Sequence, residues 1–382
     1  MGKEFIKIIV GIRRSGKSTI MLQLIDELVA NGVSKDQIIQ INFENYEYRN
    51  LKDKDSLHEY IFKRLHSTKK TYLFLDEVQE VEGFEAVVNS LNVTSDVDVY
   101  LTGSNSKMLS GEYATLLTGR YVSFEVFPFS FKEMTLYYPE KLYDDLFKQY
   151  VIYGGLPQIH MFTNPNEKKQ LMMDLYNSVV IKDLVQRYAI REVDILEKYL
   201  NYLLNTIASL FNAQNVSSFF KSEGRTISKD TLYNYIKFAK EAYFIYSAQR
   251  YDIKGKKLLS TNEKLFVNDQ GFRGIKFNNE ADIEKILENI VYFELLRRGF
   301  QVTIGYVGDR EIDFIAMKGQ EKRYYQIAYV LNSESTVQRE FGSLLMIDDA
   351  YPKYVISTDK FDRSKEGIKH LNIIDFLLEK ND

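Results

Sequence analysis

The stretch Gly11–Ser18, GIRRSGKS, follows the apolar run Ile6–Val10 and leads into STIMLQLIDELVA, where apolar residues recur at helical spacing. A glycine-rich loop between a strand and a helix lets backbone amides approach an anion, and phosphate is the first candidate. The loop matches G-x-x-x-x-G-K-[ST] and stands in the context that this motif needs. Its amides face a β-phosphate in this reading. Lys17 reaches the β and γ oxygens, Ser18 ligates magnesium, and Gly11, Arg14, Ser15, Gly16 and Thr19 complete the cradle. Arg13 and Arg14, at variable positions, either steer phosphate or simply face solvent.

A phosphate loop calls for an acidic strand end to hold the magnesium shell. TYLFLDEVQE supplies one: Tyr72–Leu75 are largely apolar and end in Asp76 and Glu77. Asp76 is expected at the metal, and Glu77 is placed to polarise the attacking water. Such an acidic pair marks the class of P-loop ATPases with an extra strand between the P-loop strand and the acidic one. VDVYLTGSN offers that strand, with Ser104 and Asn105 as polar sensors at its end. Hydrolysis also needs positive charge that responds to the transition state. Arg120 in LLTGRY is the first candidate, acting in its own site or in a neighbouring copy, or else as a structural arginine; Arg187 and Arg191 are weaker ones.

Composition bounds the rest. A chain of 382 residues exceeds one ordinary core, so several domains are expected. No apolar run is long enough to span a bilayer and no signal-peptide pattern opens the chain, which reads as cytoplasmic with no membrane association. The absence of cysteine excludes disulfides and thiolate metal sites, and a net charge of −3 argues against wholesale nucleic-acid coating. Strand-like runs at Ile6–Val10, Ile38–Phe43, Tyr72–Asp76, Val97–Thr102 and Val122–Val126 alternate with helical segments, the rhythm of a parallel α/β sheet.

The set GIRRSGKST, FLDEVQE, LTGSNSKML, LTGRY, YGGLP and EIDFIA resembles a family of bacterial and archaeal AAA-type ATP-binding proteins that join an ATPase core to a C-terminal domain related to restriction endonucleases. Family members usually carry a longer stretch before the first strand, so packing near the adenine pocket is expected to be incomplete. The expected architecture is an α/β P-loop NTPase (AAA-type) parallel sheet over residues 1–130, a helical lid region over 131–200, a winged-helix-like region over 201–270 and an α/β restriction-endonuclease-like domain over 271–382. GGLP is a helix-breaking turn, expected to close the lid over the nucleotide. ATP and Mg2+ are the implied ligands.

In ISKDTLYNYIKFAKEAYFI, Ser228 or Asp230 caps a helix that places Leu232, Tyr235, Ile236 and Ala239 on one face, as in the second helix of a winged helix. Residues 219–264 hold ten Lys and Arg against five Asp and Glu. That local charge makes DNA a candidate partner and this segment its surface; a protein partner and a homo-oligomer are the other candidates. Farther on, a helix bearing Glu288 (or Glu294), a strand with Asp313 and the strand YYQIAYV follow the order of the PD-(D/E)XK nuclease core. Where that core has E-x-K, this chain reads Gln326-Ile327-Ala328. A neutral amide is a poor magnesium ligand and alanine cannot orient water, so Glu288, Asp313 and Gln326 are expected to form a degenerate site without nuclease activity. Lys318 and Lys322 are the nearest lysines that could substitute, although both fall in the turn MKGQEKR.

Overall fold

Five short runs of β-branched and aromatic residues become a parallel sheet, the first three each followed by a helix that carries the chain back across it to the next strand. The computed structural model describes residues 5–66, 68–94, 96–106, 117 and 120–379. Strands β1 (Ile6–Val10), β2 (Ile38–Asn42), β3 (Thr71–Asp76), β4 (Val97–Gly103) and β5 (Tyr121–Glu125) lie within a residue or two of the positions expected from sequence. Their order is β2-β3-β4-β1-β5 and every pairing is parallel. The extra strand expected between the P-loop strand and the acidic strand is β4.

Helix α1 (Lys17–Ala30) packs Met21 and Leu28 against Ile9, Phe74 and Tyr100, whereas α2 (Lys54–Phe62) buries Leu57 and Ile61. Helix α3 (Phe84–Thr94) joins β3 to β4. Residues Met1–Phe127 with Lys240–Tyr243 form one compact unit, and Pro128–Ala239 with Phe244–Asp382 form a second.

The second unit opens with α4 (Phe131–Tyr137), α5 (Tyr143–Tyr153) and α6 (Pro165–Ser178), and continues through a π-helical segment, Val179–Gln186, to α7 (Val193–Asn205). Next come β6 (Ser209–Leu210), α8 (Ala213–Ser222), α9 (Lys229–Glu241), β7 (Ile245–Asp252) and β8 (Lys257–Val267). The Ser228 hydroxyl caps α9, accepting the Thr231 N–H at 3.1 Å, and Leu232, Tyr235, Ile236 and Ala239 form its buried face as the periodicity requires. The chain then runs through α10 (Gly271–Gly274), α11 (Ile283–Arg297), β9 (Gln301–Val307), β10 (Arg310–Lys318), β11 (Glu321–Ile327), α12 (Glu334–Leu345), β12 (Lys353–Ser357), β13 (Lys369–Asn372) and α13 (Ile373–Leu377). All eight strands form one mixed sheet, β13-β12-β11-β10-β9-β7-β8-β6. Parallel pairing of β7 with β9 carries that sheet across residue 270, where the sequence reading set a boundary.

The GGLP turn ends α5 at a buried carboxylate. Asp269 accepts the N–H groups of Gly155 and Gly271, each at 2.7 Å, while burial, opposed by those donors, pushes its carboxyl up to about 6. Nearby, fully buried Arg273 donates to Leu204, Asn278 and Asn279 and pairs with Asp282. A methyl group on Gly155 would lie 2.2 Å from the Phe129 carbonyl oxygen, so this glycine is required by close backbone approach. Gly155→Ala is expected to lower stability by about 1–3 kcal/mol, read as a reduced urea midpoint; an unchanged midpoint would mean that the turn yields freely.

Candidate nucleotide site

Parallel strands deliver their carboxyl ends to one edge of the sheet, so three motifs far apart in sequence meet there. Val10 pairs with Gly103, Leu75 with Leu101 and Asn42 with Asp76. The loop after β1 runs over Gly11–Gly16 into the N-terminus of α1. Gly11 has φ 145°, and a Cβ there would stand 2.2 Å from the Val126 carbonyl oxygen. Lys17 is buried, donates to the Gly11 and Ile12 carbonyls at 3.1 and 3.0 Å, and lies 3.9 Å from the Glu77 carboxylate. The buried hydroxyls of Ser15 and Ser104 have no hydrogen-bond partner, whereas Ser18, Thr19 and Arg14 are exposed. Unsatisfied buried hydroxyls beside a ring of amides suit a polar, anionic ligand.

The acidic pair is held by a residue outside both the phosphate loop and the acidic motif, Thr102. The Thr102 hydroxyl donates to the Asp76 carboxylate and accepts the Glu77 N–H at 2.9 Å. Asn42, at the end of β2, donates to the other Asp76 oxygen at 2.9 Å. Glu77 adopts left-handed backbone, φ 55°, a conformation that a non-glycine residue keeps only where its surroundings impose it, and its carboxylate accepts from Gln79. Asn105 follows β4 and is buried at this same edge. Arg13 is not solvent-facing: it pairs with Glu44 at 2.7 Å and is nearly buried. Thr102 lies inside LTGSN, and its sequence signal is a hydroxyl on the strand that neighbours the acidic strand end.

Arg120 does not join this edge. Its carbonyl accepts the Ile6 N–H at 2.9 Å, so it sits where β1 begins, and its side chain is exposed. The five residues of β1 separate it from the P-loop by roughly 16 Å, beyond the reach of an arginine side chain. The expected role in its own site is therefore excluded by the parallel register of β1 and β5. Lys107–Leu109, Thr118 and Gly119 of the LTGSNSKML and LTGRY motifs lie outside the described residues. Arg187 pairs with buried Asp183 at 3.2 Å.

A second cluster forms in the mixed sheet. Lys264 of β8, almost fully buried, reaches Glu288 of α11 at 2.5 Å, Glu311 of β10 at 3.0 Å and Asp313 at 4.0 Å. Burial alone would depress the lysine, but Glu288, Asp313 and Glu311 outweigh it and hold the ammonium above its ordinary range. Burial raises Glu288 against the pull of Lys264, and burial together with Glu288 raises Asp313. Asp313 also accepts the Ile327 N–H at 2.8 Å, while Gln326 accepts the Asp313 N–H at 3.2 Å. Glu288, Asp313 and Gln326 thus lie in one cluster. The lysine among them comes from β8, whereas Lys318 donates to the Arg298 carbonyl and Lys322 faces Asp349. Glu294 pairs with Arg298 instead, and Ala328 is core. Among the described residues no group of three or more acidic or histidine side chains is placed to hold a metal ion.

With this geometry in hand, relatives can be compared. An uncharacterised protein of Haemophilus influenzae is 37% identical over 383 residues, covering 98% of this chain and 95% of that protein. One from Methanocaldococcus jannaschii is 32% identical over 391 residues, covering 97% and 85%. The chain belongs to their family. Residues 3–135 match the AAA domain, and residues 144–282 match a domain of unknown function (DUF8612). The N-terminal unit is accordingly an AAA-type domain, a nucleotide-binding kind. Among solved structures, AMPPCP-bound DnaA from Aquifex aeolicus aligns at TM-score 0.33 and 15% identity, over 63% of this chain and 83% of that one. The Aeropyrum pernix ORC2 protein aligns at 0.35 and 11%, over 76% and 88%. Similarity at that level transfers no function. Among the described residues no helix is long and apolar enough to cross a membrane.

Replacing Lys264 by Met leaves three carboxylates without their cation. Removing one partner of a buried ion pair costs about 3–5 kcal/mol. Because Glu288 and Asp313 have raised folded-state pKa values, they favour the folded chain as they take up protons and oppose it as pH rises. The deficit of Lys264→Met relative to wild type is therefore expected to be largest near pH 8 and to shrink toward pH 5, measured by urea unfolding across that range. A pH-independent deficit would show that the cluster is not electrostatically coupled.

Proposed function

We propose that this chain is a magnesium-dependent ATPase whose AAA core couples ATP hydrolysis to action on a macromolecular partner, with DNA and a protein as the two candidate classes. The observation that carries this reading is the convergence of Lys17, Asp76, Glu77 and Thr102 at one sheet edge beside unsatisfied Ser15 and Ser104. Lys17 is held by its own loop carbonyls, a set of bonds that the β- and γ-phosphate oxygens replace. Ser18 and Asp76 are the residues that would hold magnesium, which neutralises charge building on the transferred phosphoryl group. Glu77, positioned by Gln79 and by its backbone bond to Thr102, accepts the proton of the attacking water. Thr102 keeps both acidic residues in register, so the base and the metal-binding carboxylate move together. Asn105 serves as the polar sensor at the end of β4. Arg120 is exposed at the far edge, and the catalytic role that remains open to it is in a neighbouring copy of a homo-oligomer.

In the second unit, α8, α9 and the β7–β8 hairpin have the order of a winged helix, and β6 pairing with β8 supports that reading. The domain from α11 onward is read as restriction-endonuclease-like with its cleavage chemistry lost. Gln326 is engaged by backbone, and Lys264 sits among the carboxylates that a metal would need. The chain is read as cytoplasmic.

Lys17→Ala is expected to weaken ATP binding by at least a hundredfold, and Glu77→Gln to keep binding while losing most turnover. Equilibrium binding of a fluorescent ATP analogue and phosphate release, measured side by side, check both. Unchanged affinity in Lys17→Ala would remove the P-loop reading, and normal turnover in Glu77→Gln would assign the base elsewhere.

A further inference from the structure

The positive charge counted over residues 219–264 is not all available to a partner. Lys264 is buried among carboxylates, Arg225 pairs with Asp194 at 2.8 Å, and the Arg250 guanidinium lies 4.0 Å from the centre of the Tyr306 ring. Lys237 and Lys240, on the exposed side of α9, have partners of their own. What remains exposed is Lys221, Lys229 and the hairpin turn Lys254-Gly255-Lys256-Lys257. Asp252, the acid at the base of that turn, accepts the Gly255 N–H at 3.0 Å and so shapes the tip.

Sheet topology decides what lies beside this tip. β7 pairs in parallel with β9 through Asp252 and Tyr306, and the Ile253 N–H donates to the Tyr306 carbonyl at 2.9 Å. The lysine turn therefore projects next to the β9–β10 turn, whose first strand residue is exposed Arg310. Adjacent strands stand about 4.8 Å apart, well within the reach of lysine and arginine side chains. Arg310 also lines an open polar cleft of about 470 Å³ together with Gln326, Ser335, Gln338, Arg339 and Glu311. Glu311 there pairs with Lys264, and Arg339, bonded to Glu340 through Nε, keeps further donors on an exposed guanidinium. Asp252, Asp309, Glu311 and Glu340 are the acids nearest this row of cations.

We propose that Lys254, Lys256, Lys257, Arg310 and Arg339 form a track for the phosphodiester backbone of a nucleic acid, leading from the hairpin tip into the polar cleft beside Gln326. The proposal rests on the nucleic-acid reading of the partner and moves its surface from α9 to the hairpin and the β9–β10 turn. Fixed cations with solvated heads match a polyanion that carries one charge per roughly 1.7 Å of duplex. The cleft at the end of the track offers amide, hydroxyl and guanidinium donors, which recognise phosphate and sugar oxygens without cutting them.

The test is fluorescence anisotropy on the full chain with labelled duplex and single-stranded DNA, over about 50–300 mM salt. Wild type is expected to lose affinity linearly on a log–log plot. The combined Lys254→Ala, Lys256→Ala, Lys257→Ala protein should reduce the slope by about two to three units, and Arg310→Ala by about one. The control, Lys221→Ala with Lys229→Ala, should change it little. All are surface positions, and thermal melts confirm folding. If wild type binds but only the control variant loses affinity, the track is wrong while the nucleic-acid partner stands. If wild type binds neither DNA at the lowest salt, both fall and the ATPase reading is untouched.

Discussion

Parallel register between β1, β4 and β3 is the constraint on which the candidate site depends. It sets Gly103 beside Val10 and Leu101 beside Leu75, so the P-loop, Thr102 and the acidic pair share one edge. Thr102 then joins neighbouring strands through a single hydroxyl, donating to the carboxylate of Asp76 and accepting the backbone of Glu77. A side chain that satisfies two groups on the next strand fixes their relative height more firmly than either carboxylate could alone. The same register places Arg120 at the opposite edge. A parallel sheet separates the beginnings of its strands from their ends, and no side chain crosses that length.

The second unit relies on three buried charged groups, each bonded to several partners. Asp269 receives the N–H groups of the GGLP and α10 turns, Arg273 gathers carbonyls from separate segments, and Lys264 pairs with Glu288 and Glu311. Each is a charged or polar group in a dry setting, where an unpaired member is far more damaging than in water. Of these, Lys264 ties the hairpin β7–β8 to the helix and strand that follow it. The hairpin is therefore part of an eight-stranded sheet, and its tip lies beside the β9–β10 turn.

Much of the N-terminal unit was legible because its signals are local. A glycine loop after an apolar run, an acidic pair ending a strand and a hydroxyl-rich strand end each declare their structure within ten residues or so, and the five strands lie where alternation and β-branching put them. The helix face of α9 was legible for the same reason, its buried residues following helical spacing from a Ser228 cap. Charge was not. A count of lysines and arginines over residues 219–264 treats each as solvated, yet burial among Glu288, Glu311 and Asp313 removes Lys264 from that count, and Arg250 is stacked on Tyr306.

The sequence by itself determined the phosphate loop, its acidic partner strand and the alternation that makes a parallel α/β sheet, since each follows from residue types at short, fixed spacing. Tertiary structure alone decided which lysine joined Glu288 and Asp313, which hydroxyl bridged Asp76 and Glu77, and on which edge Arg120 stood. Those outcomes depend on strand order and on register, which bring together residues separated by tens of positions and carry no trace in local periodicity.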